Sequence, residues 1–190
     1  MYARILGLAA LAACLAMPAA AVALSDAAGS YTISTTGSSI RFTIGKAGGG
    51  GFDGAFARFK GTIRIDNGDV GRSKVDLTIY PESVGTGQGR IDAFLRSDAV
   101  FDSANNPEIQ FHSTSVARTG DTTAVVTGRL TARGKTFPEK FTAELDGLKG
   151  STIKFHVTGK VLRSRYGMDV GTPLYSNVVD FNMMLTGRRG

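Results

Sequence analysis

Ala124-Val125-Val126-Thr127-Gly128-Arg129-Leu130-Thr131-Ala132 puts Ala124, Val126, Gly128, Leu130 and Ala132 on one side and Val125, Thr127, Arg129 and Thr131 on the other. A period of two is the pattern of a β-strand with one face buried and one in water. Gly134 turns the chain, and Phe141, Ala143 and Leu145 then alternate with Lys140, Thr142 and Glu144. After Asp146-Gly147 the apolar side carries Ile153, Phe155, Val157, Gly159 and Val161, against Lys154, His156, Thr158 and Lys160. Strands this closely spaced leave no room for crossover helices, so they pair antiparallel.

The same pattern continues in both directions. Downstream, Val179, Phe181, Met183 and Leu185 form a last strand. Upstream, Ile40, Phe42 and Ile44 alternate with Arg41 and Thr43, then Ala57, Phe59, Gly61, Ile63 and Ile65 with Arg58, Lys60, Thr62 and Arg64. Asn67-Gly68 is a hairpin signal before Val75, Leu77 and Ile79. Ile109 and Phe111 open a further strand after Asn105-Asn106-Pro107. One stretch breaks the pattern: Ile91, Phe94, Leu95 and Ala99 recur at helical spacing, with Asp92 and Arg96 a favourable i,i+4 pair. About eight antiparallel strands and one inserted helix predict an all-β, lipocalin-like closed barrel. A barrel of that size is either filled by side chains or holds one small ligand. Gly61, Gly128 and Gly159 on the apolar face either leave room inside or let the wall curve.

The 190-residue chain carries a net charge of +6, and its basic residues are dispersed without interleaved aromatics. That argues against a nucleic-acid platform. The glycine run Gly48 to Gly51 lacks the lysine and hydroxyl residue of a phosphate loop and reads as a turn. The two histidines, His112 and His156, sit on polar faces of separate strands, at no metal-ligand spacing. No catalytic residue, metal or cofactor is expected. An eight-stranded outer-membrane barrel is the competing architecture, with an enzyme behind it.

The N-terminus reads as an export signal over residues 1–23: a basic start, an apolar run from Ile5 to Met17, and Ala21-Val22-Ala23 as a cleavage site. Leu11-Ala12-Ala13-Cys14 offers the alternative of lipoprotein anchoring at Cys14, the single cysteine. Residues 24–30 read as a flexible leader and 31–190 as the domain.

Several segments, in order, resemble the YceI-like family of bacterial polyisoprenoid-binding proteins. They are Tyr31-Thr32-Ile33 with Ser38-Ser39-Ile40-Arg41-Phe42, then Phe56 to Ile63, and Phe94-Leu95-Arg96-Ser97 with Phe101-Asp102 and Asn106 to Phe111. Gly128 to Thr136 and Arg163 to Met168 complete the set. Three places depart from that pattern: Phe94 stands where the family often has His, Arg165-Tyr166 where it often has Asp-Phe, and Gly48 to Gly51 replaces the usual family loop. The resemblance implies a periplasmic barrel that sequesters or carries a polyisoprenoid, isoprenoid quinone or fatty-acid derivative in its lumen. On that reading Ile40, Phe42, Phe59, Ile63, Leu77, Ile79, Phe94, Phe111, Val126, Leu130, Phe141, Phe155, Val157, Phe181 and Met183 line the lumen. Arg96, Arg163, Arg165 and Tyr166 are the head-group candidates at its mouth, because arginine pairs with phosphate in bidentate fashion. The partners expected are the lipid, a membrane touched transiently during exchange, and a second copy in a homodimer.

Overall fold

The computed structural model describes residues 22–190. Apart from its last two residues, the export signal expected over 1–23, with Cys14, lies outside them. The strands are β1 (Gly29–Ile33), β2 (Ser39–Gly45), β3 (Gly51–Phe56), β4 (Phe59–Ile65), β5 (Lys74–Ile79) and β6 (Val84–Gly85). After α1 (Gly89–Arg96) come β7 (Ile109–Arg118), β8 (Thr123–Ala132), β9 (Lys135–Lys149), β10 (Thr152–Leu162) and β11 (Val178–Arg189).

Every pairing is antiparallel, and the sheet closes on itself where Tyr31 of β1 meets Arg189 of β11. Three short strands extend others. β11 pairs with β1 through Gly187 to Arg189 and with β2 through Asp180 to Met184, so β1 and β2 form one interrupted stave. β3 with β4, and β5 with β6, do the same. The result is an eight-stave antiparallel barrel with one short helix, as the alternation predicts. Closure removes the unpaired edges that an open sheet would expose.

Inward residues are apolar and buried, including Ile63, Phe111, Val126, Leu130, Phe155 and Met183. Outward positions such as Arg41, Lys60, Arg64, Lys140 and Lys154 are exposed. This pattern overturns the outer-membrane alternative, because such a belt of cations facing lipid would cost about 2–4 kcal/mol apiece at mid-bilayer.

Two ends close the barrel. The helix end carries α1, the turn at 46–50, the Arg133-Gly134 turn and the loop 163–177. Gly48, Gly49, Gly50 and Gly51 all have positive φ, which explains the glycine run. The other end carries the first described residues and the C-terminus. There the leader expected to be flexible is a short 3-10 turn, Leu24–Ala27, tucked into the barrel. Leu24 is buried and its N–H donates to Asp121 O at 2.8 Å, while the Tyr31 hydroxyl donates to Ala27 O at 2.9 Å. β1 already begins at Gly29.

The Asn67-Gly68 signal marks a longer connection than a two-residue hairpin. Asp66 Oδ1 accepts from the amides of Gly68 and Asp69 and from Arg72. Those amide bonds hold its carboxyl below the usual carboxylate range.

Candidate ligand-binding cavity

The inward side chains leave a cavity of about 160 Å³. An engineered apolar cavity of roughly 150 Å³ stays dry and takes up benzene, so this hollow is large enough for a hydrophobic guest. It runs from Leu24, Val70 and Val116 at the termini end to Leu95, Val100, Tyr166 and Met168 at the helix end. It thus reaches along the barrel between two covers.

Of the expected lining residues, Phe42, Ile63, Leu77, Ile79, Phe111, Val126, Leu130, Phe141, Phe155, Val157, Phe181 and Met183 face the cavity. Three do not. Ile40 is fully buried, but its register partners Phe56 and Met183 reach the lumen in its place. Phe59, paired with Ile79, is likewise packed into the wall. Phe94 is 47 % exposed: α1 turns Leu95 inward, and the neighbouring position then points to solvent.

Sequence reasoning missed Leu24, Phe56, Phe101 and Met168, all of which line the cavity. The rings form a connected series through it. Phe101, Phe56, Phe42, Phe181, Phe141 and Phe111 each lie 5.3–6.4 Å from the next, centroid to centroid. These are distances at which tilted and edge-to-face pairs attract.

The arginines at the helix end donate to main-chain carbonyls of the cover segments. Arg163 is buried, and its Nε donates to Ser176 O at 2.8 Å. Its Nη1 donates to Met168 O and Val170 O, and its Nη2 to Tyr175 O at 3.3 Å. Burial draws its pKa below the ordinary arginine value, opposed by the Asp169 carboxylate. Arginine nevertheless keeps its proton in proteins. Arg96 does not pair with Asp92; it donates to Glu82 O at 3.4 Å and Val84 O at 3.3 Å. Asp92 instead accepts from the Thr86 amide and hydroxyl, both at 2.7 Å, and those bonds lower its pKa. Arg133 Nη1 donates to both Val100 O and Gly167 O at 3.0 Å, joining the segment after α1 to the 163–168 turn.

Tyr166 is buried at the cavity wall, its hydroxyl donating to Glu139 Oε1 at 3.0 Å, and Arg165 lies 3.8 Å from the same oxygen. Burial, then the Glu139 carboxylate, pushes the phenol pKa well up, so the hydroxyl keeps its proton. Sequence reasoning missed Glu139, although its shared parity with Phe141 is the signal that places it inward. No such signal marks its partner, because Tyr166 is 27 positions away. Of the four head-group candidates, only Arg165 is largely exposed.

On the outer face, His112 Nδ1 lies 2.6 Å from Asp76 Oδ1, both side chains more than half exposed. His156 meets Asn182 at 3.2 Å. Among the described residues every buried side-chain nitrogen and oxygen has a hydrogen-bond partner. The cavity therefore offers an incoming molecule a hydrocarbon wall and no free buried polar group.

The model of the YceI-like domain matches residues 31–186. Protein YceI of Escherichia coli O157:H7 is 31% identical over 153 residues, spanning 78% of this chain and 80% of that one. A UPF0312 protein of Shewanella denitrificans is 34% identical over 135 residues, 70% of this chain and 64% of that one. Among solved structures, Burkholderia cenocepacia BcnA superposes with a TM-score of 0.75 at 21% identity, covering 81% of this chain and 98% of that one. A polyisoprenoid binding domain from Saccharophagus degradans superposes with a TM-score of 0.68 at 17% identity, covering 84% and 98%. By sequence over nearly the whole described chain, this protein belongs to the YceI-like domain family.

Proposed function

We propose that this protein is an exported, non-enzymatic lipid-binding protein that holds the hydrocarbon part of a polyisoprenoid, or a similar long-chain amphiphile, inside the barrel. The observation that carries this reading is the apolar cavity running between the two covers, with no unpaired buried polar atom beside it among the described residues. Each methylene moved from water into such a wall contributes about 0.8 kcal/mol, so the chain supplies the affinity and the head group little. The solved domain described as polyisoprenoid binding shares the fold and supports the same reading. Export to the periplasm rests on the basic and apolar N-terminal segment.

The hollow as it stands suits a guest near the size of one ring. A longer chain is admitted as the helix-end cover lifts and the lumen opens along its length. The ligand passes through the helix end, where Phe94, Val170 and Leu174 are exposed and offer a brief foothold on a membrane. The head group stays outside, near Arg165.

Mass spectrometry of the organic extract from protein purified without detergent tests this directly. One long-chain lipid per barrel is expected. An extract free of lipid, together with protein that takes up neither farnesol nor geranylgeraniol in a fluorescent-probe displacement titration, would overturn it.

A further inference from the structure

Three glycines on the inward face do not open onto the cavity, because a phenylalanine ring lies over each. A methyl group added at Gly54 would sit 2.7 Å from Phe42 Cε1 and closer still to Cζ; one at Gly159 would sit 2.8 Å from Phe141 Cε1 and closer to Cδ1. Gly128 lies in the same way under the Phe111 ring, with the His112 carbonyl oxygen 2.6 Å from such a methyl. Gly61 has no ring over it: a methyl there would sit 2.5 Å from the Asp76 carbonyl oxygen, with Leu77 and Ile33 Cδ1 at 3.1 and 3.2 Å. None of Gly54, Gly128 or Gly159 has a positive φ, so backbone conformation does not explain their presence.

The register makes the pattern continuous. Gly54 pairs with Phe42, Phe42 with Phe181, Phe181 with Gly159 and Gly159 with Phe141. One row across β3, β2, β11, β10 and β9 therefore reads glycine, ring, ring, glycine, ring. A ring that lies down on a glycine contributes its apolar face to the wall without filling the lumen.

We infer that Gly54 and Gly159 are seats for the Phe42 and Phe141 rings, and that these seats set the width of the lumen and hence the chain it accepts. This rests on the proposed lipid binding for its biological meaning, but its geometry stands independently. A Cβ at either seat lifts the ring, and the lumen is the one direction left to it. Chain uptake then falls while the barrel remains closed.

The test uses the mature protein as Gly54→Ala and Gly159→Ala, each alone and combined with Phe42→Leu or Phe141→Leu respectively. Two measurements are made: xenon uptake by NMR, which reads the cavity whatever the natural ligand, and displacement of 1-N-phenylnaphthylamine by geranylgeraniol. Each single variant should bind xenon and geranylgeraniol about tenfold or more weakly, the penalty of one methylene too many in an apolar site. Each double variant should regain both. Folded single variants with unchanged xenon uptake overturn the inference. If a single variant fails to fold, its double variant should fold, and a double that also fails overturns it. Wild-type protein that takes up xenon and no geranylgeraniol defeats the lipid-binding reading and leaves the ring seats to be judged by xenon alone.

Discussion

The two ends of the barrel are closed by different chemistry. At the termini end, a turn continuous with β1 inserts Leu24, and the chain closes with Tyr31 donating to Ala27 O and Arg189 to Ala28 O. At the helix end, inserted segments cover the mouth, and arginines reach their backbone carbonyls: Arg96 to 82 and 84, Arg133 to 100 and 167, Arg163 to 168, 170, 175 and 176. The apolar turn runs straight into β1 and is anchored in the core by Leu24. Segments pinned by a few side chains can lift while the sheet stays intact, and low-stability covers are where binding proteins move. On the proposed function, the helix end is the end through which a ligand would pass.

Removing Arg163 should be the severest test of that contrast. Arg163→Leu leaves four loop carbonyls without their donor, a loss of roughly 3 kcal/mol or more given typical charged hydrogen bonds. In a domain this size that lowers Tm by about 6–12 °C, read by thermal denaturation. If the variant melts like wild type, the arginine does not hold the loop and becomes available again as a head-group ligand.

Leu24→Ala tests the opposite end. Deleting a buried leucine side chain costs about 2–5 kcal/mol, so chemical denaturation should show a loss of that order, with no change in amide exchange at 86–108 beyond the global shift. A selective loosening of α1 would mean that the two covers are coupled.

Arg133→Asn is a finer probe. Arg133 and Gly134 both have positive φ, 49° and 68°, in a two-residue hairpin turn that favours Asn-Gly. A long cationic side chain there is locally unfavourable, and its reach to both cover segments accounts for its presence. The substitution improves the turn and removes the clasp, so global stability should stay within about 1 kcal/mol. Amide exchange around Val100 and Gly167 should quicken about tenfold, the equivalent of roughly 1.4 kcal/mol.

Acidification has the smallest expected effect. Asp92 has a depressed pKa because Thr86 donates to it twice. A depressed carboxyl stabilises the fold above its unfolded pKa and loses that contribution as pH falls through the folded value. Exchange protection at residues 86–92 should therefore begin to drop below about pH 4. Thr86→Val removes the hydroxyl donor and keeps the amide, so it should weaken the pH dependence without abolishing it.

The same contrast explains what could be read in the sequence. The staves were legible because alternation such as Ala124 to Ala132 reports directly which face is buried, and closure follows from strand number. Most of the inward list reached the cavity for that reason. The covers were opaque. Leu24 and Ala27 are two apolar residues in a short polar stretch, too few to show a periodicity, yet both are buried. On α1 the sequence places Phe94 and Leu95 near one face, and only packing decides which of them points inward. The carbonyl partners of Arg96 and Arg163 lie in irregular loops and are invisible in residue identity. The glycine seats needed the register, which pairs Gly54 with Phe42 and Gly159 with Phe141.

Intermolecular NOEs between isotope-labelled protein and unlabelled geranylgeraniol test the central claim most directly. Contacts from the prenyl methyl groups to Phe42, Phe141, Phe181 and Met183, with none to outward residues such as Lys60 or Lys154, are the result the account predicts. Contacts confined to the outer face or to the exposed Phe94 and Leu174, with the inward rings unperturbed at saturation, would contradict it.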